Sequence, residues 1–554
     1  MSVYWADTLA KDIVNRKKFN YVDKEVPQVS KYFIKSSTSI SGVPHIGNAS
    51  DVIRHDALFR ALKDMGKEVV LYWVAENMDA LRKVPVGIPK EFKKYLGMPV
   101  ADIPCPENCC GSYTEHFSNL FVKSLKENFG VDLIFKSTDK AYRSGEFNPY
   151  IKKIMKNLDL VREIWNKSRE TPLPEKWTPW KPVCENCGRI MTTVVKDYDE
   201  NGVRYVCQDY EFKEYGKDAY TKVPGCGYEG ESKFKDGNGK LLWRAEWAVE
   251  WAAWKISFEG AGKEHFMPTG SFWTAGEIAE KILGWPEPHP SENPLQPYEY
   301  LTIDGKKMSA SVGNVVSTWD WPKFAPPQIL RLIFLKKLRK VRDFSYQKIP
   351  DYVDEYDKLQ RIYFGAEKVE NEKEKAHLKR LYEMVEIGKI PEKLPVQLPF
   401  SFAVFLSQIY NLDKSMEKII DLLKNTGHIK NGISKEDEER IRGRLLTAKE
   451  WVKRYAQDNM KIQIQNKLPK EIKQKIPEEQ REAFLKLSKE LKKDWTYEEL
   501  QNKIYDIAKA SGDVRKFFEY FYRILIGKGS GPRAAQFILA VGKERVREIL
   551  EQLE

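Results

Sequence analysis

Two short stretches hold the residue types that could organise a reaction on a nucleotide. The first is His45-Ile46-Gly47-Asn48, which closes a small-residue turn over residues 36–48 and opens a helical pattern. A turn between strand and helix leaves main-chain N–H groups free to face an anion. His45 can approach a phosphate there, and Gly47 lets a base or ribose lie against bare backbone. The second is Lys307-Met308-Ser309-Ala310-Ser311, preceded by the polar turn Asp304-Gly305-Lys306. A lysine on such a loop can swing over a triphosphate and offset the charge that builds as pyrophosphate leaves. Alone, His45 is an ordinary polar residue and Lys307 a solvated one. In this order, on these elements, they point to nucleotide chemistry.

The seven cysteines fall into two groups, one at Cys105, Cys109 and Cys110 and one at Cys184, Cys187, Cys207 and Cys226. In a cytosolic chain, clustered cysteines indicate metal before disulfides. Cys184 and Cys187 have the spacing of a zinc knuckle, with Gly188 for the turn; Cys207 and Cys226 complete a four-thiolate set. Residues 208–224 then read as an insertion that leaves the ligands together. The rival reading is four free thiols. Cys105, Cys109, Cys110 and His116 also carry ligand types at workable spacing.

The elements that must position these residues follow from periodicity. A strand over residues 29–34, a helix over 48–65 ended by Gly66, and a strand over 68–74 form a β–α–β unit. Such a unit implies a parallel sheet, and ligands bind beyond the carboxyl ends of its strands. Residues 90–112 are irregular. A helix over 114–129, a strand over 131–135 and a helix over 148–165 follow, then a proline-punctuated linker over 171–182 and the cysteine module over 183–230. Residues 243–254 are tryptophan-dense. From 351 onward amphipathic helices dominate, among them 441–454, 478–493 and 496–511. The expected division is 1–104, 105–235, 236–350 and 351–554.

The chain has 554 residues, too many for one core, and a net charge of +12. That excess suits a polyanion partner but equally a lysine-rich surface. No apolar run approaches the ~20 residues of a membrane helix, and residues 1–20 read as an amphipathic helix and not a signal peptide. A cytoplasmic protein without membrane association is expected.

Several runs together give a resemblance. His45–Asn48 and Lys307–Ser311 resemble the HIGH-type and KMSKS-type signatures of class I aminoacyl-tRNA synthetases. Trp5-Ala6-Asp7, Asp79-Ala80-Leu81-Arg82-Lys83-Val84-Pro85, Trp243-Arg244-Ala245-Glu246-Trp247, Gly262-Lys263-Glu264-His265 and Gly531-Pro532-Arg533 narrow it to the class I lysyl-tRNA synthetases. The resemblance implies a Rossmann-like α/β catalytic domain, a zinc-binding insertion and an all-α anticodon-binding region. It implies activation of L-lysine with ATP and Mg2+, transfer to tRNA(Lys), two structural zinc ions and a monomer. Catalysis would fall to His45, Asn48, Lys307, Ser309 and Ser311. ATP would meet Ser41, Gly42, His45, Gly47, Asn48, Lys307 and Met308. Lysine would meet Ser37, Ser39, Trp243, His265 and Tyr298. Glu246 is added as a partner for the lysine ammonium, with a buried structural ion as the alternative. Cys105, Cys109, Cys110 and His116 would hold the second zinc.

The chain departs from that family's pattern at several positions. Ala310 replaces a lysine or serine, Ser37 a glycine, Ile40 a proline and Glu264 an aspartate, and Glu76-Asn77 replaces an acidic pair. A class I synthetase for glutamate or cysteine, or a tRNA-binding paralogue without full activity, are the other readings. In the C-terminal region, Trp451, Tyr455 and the aromatics of residues 515–523 stand among basic groups, as base-stacking residues do; Phe517, Phe518 and Phe521 read instead as helix core.

Overall fold

The alternation of apolar runs and helical periodicity in the first part of the chain builds a parallel sheet. The structure, a computed structural model, describes residues 4–213, 220–288, 301–307, 315–336, 338, 342–430 and 432–554, without the side chains of Lys307 and Arg342. Helix α1 (Trp5–Asn15) precedes strand β1 (Lys31–Thr38), helix α2 (Ile46–Asp64) and strand β2 (Glu68–Ala75). Helix α3 (Tyr113–Phe129) leads to strand β3 (Ile134–Ser137). The sheet order is Phe258–Glu259, β1, β2, β3, and every pairing is parallel. This is the Rossmann-like layer.

Strand β1 runs further than its apolar residues suggest. Ser36, Ser37 and Thr38 are strand residues, in register with Trp73, Val74 and Ala75. Thr38 favours a strand by itself, whereas the two serines are carried into it by pairing with buried neighbours on β2. Strand β3 lies later than expected, because Tyr72–Ala75 pairs with Ile134–Ser137. The helix expected over 148–165 is two helices, Asn148–Lys156 and Leu158–Asn166, broken at Asn157. Asn157 leaves helical geometry at φ −119° and ψ 31°, and its side chain donates to the Lys153 carbonyl at 2.8 Å. That local bond competes with continued helix.

The chain divides into two compact units. The first holds Met1–Asp320, Leu330–Phe344 and Val369–Ile390. The second holds Trp321–Ile329, Ser345–Lys368 and Pro391–Glu554. The division therefore crosses the boundary at 350 and 351: helix Glu372–Val385 folds with the sheet. Arginines explain why. Arg331 is fully buried and donates to the Asp56 carboxylate at 2.7 Å and to the carbonyls of Phe129 at 3.2 Å and Met384 at 2.6 Å. Arg380 reaches the carboxylates of Asp7 at 2.8 Å and Asp64 at 2.7 Å.

Within the first unit, the cysteine module is an antiparallel sheet of Thr193–Tyr198, Gly202–Cys207 and Glu229–Lys233. Residues 208–224 contain a hairpin, Tyr210–Lys213 against Tyr220–Val223. Helix Trp243–Ala253 buries Trp247 and Trp251 in the core shared with Phe272. The second unit is helical, with long elements such as Lys435–Tyr455, Tyr497–Ala510 and Val514–Ile526. Trp451 is buried there and donates its indole N–H to the Tyr346 carbonyl at 2.8 Å; Phe517 and Phe521 are buried as well. These three rings are core and not an exposed stacking surface. Among the described residues, no helix is long and apolar enough to cross a membrane.

Candidate active site

The site begins at a helix cap. His45 has extended backbone, and its Nδ1 accepts the Gly47 main-chain N–H at 3.0 Å. Asn48 Oδ1 accepts the His45 N–H at 3.0 Å. Donors that the first helical turn would leave unpaired are thereby satisfied. Because Nδ1 is an acceptor, the neutral imidazole carries its proton on Nε2. Burial lowers the His45 pKa to about 4, so the ring is neutral near pH 7.

These residues form one side of a cavity of about 580 Å³ beyond the carboxyl ends of β1 and β2. Of the residues singled out in the sequence, Ser37, Ser39, His45, Gly47, Asn48, Trp243 and His265 line it. Ser41, Gly42 and Glu246 do not. The Lys307 backbone pairs with Thr302, beside the lining residue Leu301. Met308, Ser309, Ala310, Ser311 and Tyr298 lie outside the described residues. Glu264 and Glu76 also face the cavity, and Ile40 is buried.

The aromatic wall is Trp243 against Trp247, stacked with centroids 4.6 Å apart. His265 packs edge-on to Trp247 at 5.2 Å, and its Nδ1 pairs with the Ser271 hydroxyl at 2.7 Å. Burial lowers the His265 pKa.

Behind this wall lies a charge cluster that periodicity does not reveal. Lys35 Nζ is fully buried, 2.7 Å from Glu250, 3.0 Å from Glu259 and 3.3 Å from Glu76. Burial disfavours its charge, but Glu250, Glu259 and Glu76 outweigh that and hold its pKa above the ordinary lysine value. Burial, aided by the charge of Glu76 and opposed by Lys35, pushes the Glu250 carboxyl well above the ordinary carboxylate range. A second cation, Lys240, meets Asp79 at 2.6 Å and Glu246 at 2.7 Å. Burial pushes Asp79 up, but Lys240 and Ser39 more than offset it. Burial raises Glu246 to about 7 against the pull of Lys240.

Glu246 thus already has an ammonium partner, and its other oxygen accepts the Tyr142 hydroxyl at 2.9 Å. Its absence from the cavity lining and its pairing with Lys240 favour the alternative reading of Glu246 as a buried structural ion. The sequence signal for this cluster was a charged residue inside an apolar strand, Lys35, and a second glutamate in the tryptophan-rich helix, Glu250. Asp51, Asp79, Arg82, Glu259 and Gly260 also line the cavity, whose charged side chains are mostly acidic.

The cysteines gather as two sets. Cys184, Cys187, Cys207 and Cys226 place their sulfurs within 4.8 Å of one another, with Cys184 to Cys226 at 3.6 Å and Cys187 to Cys207 at 3.7 Å. A tetrahedron with Zn–S bonds of ~2.3 Å has edges of ~3.8 Å. Gly188 adopts φ +70°, the left-handed turn that a knuckle needs. The Gly227 N–H to the Cys207 carbonyl, at 2.9 Å, brings Cys226 back across the hairpin insertion. Cys105, Cys109, Cys110 and His116 form the second set, with Cys105 to Cys109 at 3.6 Å and Cys109 to His116 Nδ1 at 3.1 Å. Both sets fit a tetrahedral metal ion.

Comparison with known proteins agrees with this architecture. The family model described as tRNA synthetases class I (K) matches residues 3–388. A curated lysine–tRNA ligase of Methanosphaera stadtmanae is 34% identical over 99% of this chain and 98% of its own length. Those of Methanocaldococcus jannaschii and Thermococcus kodakarensis are 34% and 35% identical over 98% of this chain and 98% of their own length. A parallel sheet with a capped helix at its carboxyl edge, a match across most of the sequence and relatives aligned nearly end to end place the chain in one family: it belongs to the class I (K) tRNA synthetases.

Proposed function

We propose that the chain is a lysine–tRNA ligase, which joins L-lysine to ATP as lysyl-adenylate and transfers it to the 3′ end of tRNA(Lys). The near end-to-end similarity to curated lysine–tRNA ligases carries this reading. The cavity supports it: carboxylates outnumber its single guanidinium, Arg82. An acidic, aromatic-walled pocket suits a cationic side chain and opposes glutamate.

In this reading the lysine carboxylate attacks the α-phosphate of ATP and pyrophosphate leaves, so no protein nucleophile is needed. His45, through Nε2–H, and the N-terminus of α2 hold the phosphates, with Ser41, Gly42, Gly47 and Asn48 around the nucleotide. Lys307 and the loop through Met308, Ser309 and Ser311 neutralise charge in the transition state, and magnesium shares that task. Ser37, Ser39, Trp243, His265 and Tyr298 surround the amino acid. The two cysteine sets hold structural zinc. The second unit, working in a monomer, reads the anticodon.

Amino-acid-dependent ATP–pyrophosphate exchange across a panel, with and without tRNA, tests the reading. Exchange with L-lysine supports it. Exchange with glutamate or cysteine instead would replace it, and no exchange with any amino acid alongside tight, salt-sensitive tRNA binding would favour the inactive paralogue.

A further inference from the structure

The four-cysteine set and the cavity meet through one short main-chain ladder. Beyond the end of β2, the Leu81 N–H donates to the Met98 carbonyl, the Gly97 N–H to the Leu81 carbonyl and the Val100 N–H to the Asp79 carbonyl, each at 2.9 Å. Ala80 and Pro99 form an antiparallel bridge between them. One side of this ladder serves the cavity. Asp79 lines it and accepts the Ser39 hydroxyl at 2.5 Å and the Lys240 ammonium at 2.6 Å. Arg82, next after Leu81, lines it as well.

The other side rests on the cysteine knuckle. The Gly97 carbonyl accepts the N–H groups of Ile190 at 2.8 Å and Met191 at 3.1 Å. Gly97 adopts φ +85°, and a Cβ there would lie 2.9 Å from a Val223 methyl, so only glycine seats the ladder this closely. Arg189 donates Nε to the Leu96 carbonyl and Nη2 to the Lys94 carbonyl, both at 3.1 Å. Those carbonyls lie at the end of the 3₁₀ helix Lys90–Tyr95, where a helix leaves acceptors unpaired and favours a cation. The knuckle fixes Arg189 in turn: the Cys184 N–H donates to its carbonyl at 2.9 Å, and the Gly188 N–H donates to the Cys184 carbonyl at 2.8 Å.

We propose that Arg189 is a positioning residue that transmits the geometry of the metal knuckle, through the ladder, to Asp79 and Arg82 in the cavity. The four-cysteine set then has a second task besides holding its own module together. Such a support fixes the side chains that meet a ligand without touching the ligand. Arg189 suits the task because its planar guanidinium holds two carbonyls at once, which a lysine does not reproduce. The kinetic arm of the test rests on the lysine-activating reading, and the amide arm does not.

Amide hydrogen–deuterium exchange on the zinc-loaded full chain compares the unaltered protein with Cys207→Ser and Arg189→Ala. Both variants are expected to speed exchange at the Leu81 and Gly97 amides by about 10-fold, while the amides that pair β1 with β2 stay protected. Arg189→Ala reports the same split if Cys207→Ser does not fold. Protection at Leu81 and Gly97 that survives both substitutions would overturn the coupling. In ATP–pyrophosphate exchange with tRNA present, Arg189→Ala should raise the lysine KM by about 10-fold and leave the ATP KM unchanged, and Arg189→Lys should recover part of the loss. Lysine and ATP weakened by the same factor, or a lower melting temperature with both KM values unchanged, would overturn the positioning role. No lysine-dependent exchange in the unaltered protein would instead overturn the proposed function, and the amide result would still decide the coupling.

Discussion

Asn48 Oδ1 accepts the His45 main-chain N–H at 3.0 Å, while His45 Nδ1 accepts the Gly47 N–H at 3.0 Å. This reciprocal cap starts α2 and also decides which imidazole nitrogen keeps its proton. Asn48→Ala opens the cap. It should cost about 1 kcal/mol of stability in urea unfolding and lower the exchange rate, since the histidine then loses its fixed orientation. A variant with unchanged exchange would mean the cap serves the fold alone.

Arg331 and Asp56 form a buried pair at 2.7 Å that ties helix Glu372–Val385 to the sheet through the Met384 carbonyl. Removing one partner leaves an uncompensated buried charge. Arg331→Ala should therefore cost about 3–5 kcal/mol in chemical denaturation. A loss under ~1 kcal/mol would contradict a structural role of this weight.

Glu287 is buried, and burial, only partly opposed by Arg16, raises its pKa to about 8. Its ordinary value is 4.5. Between those values the folded chain binds a proton that the unfolded chain has released. This contribution is full below pH 4.5 and is lost as pH rises through about 8. Glu287→Gln cannot titrate, so its melting temperature should fall less between pH 6 and pH 9 than that of the unaltered protein. Parallel melting curves would remove Glu287 as the source.

The two cysteine sets predict two metal ions per chain by elemental analysis. Cys207→Ser should remove one and leave the other, and prolonged chelation should lower the melting temperature, because metal binding to such sites is folding free energy. A metal-free chain of unchanged stability would contradict the tetrahedral reading.

Much of the sheet and its site was legible because local chemistry and tertiary position agree there. Gly66 and the periodicity of 48–65 mark α2 closely, and the cap residues mark its start. The end of β1 was not legible, since Ser36 and Ser37 are extended through pairing with β2 and carry no apolar signal of their own. Nor was the break at Asn157, where one side-chain bond outweighs a continuous amphipathic pattern. The charge cluster was hidden for a different reason. Lys35, Glu76, Glu250 and Glu259 come from separate elements, and only the folded sheet brings them together. Helix Glu372–Val385 reads as part of the helical region by composition, yet arginine contacts carry it to the first unit.

The central claim is that the acidic cavity beside the His45 cap activates lysine for tRNA. Charging of unfractionated tRNA in an equimolar mixture of labelled L-lysine, L-glutamate and L-cysteine tests it most directly, with Lys307→Ala as the companion variant. The account predicts lysine in the acid-precipitable fraction and a loss of ~100-fold or more in rate for the variant. Glutamate or cysteine on the tRNA in place of lysine would contradict it.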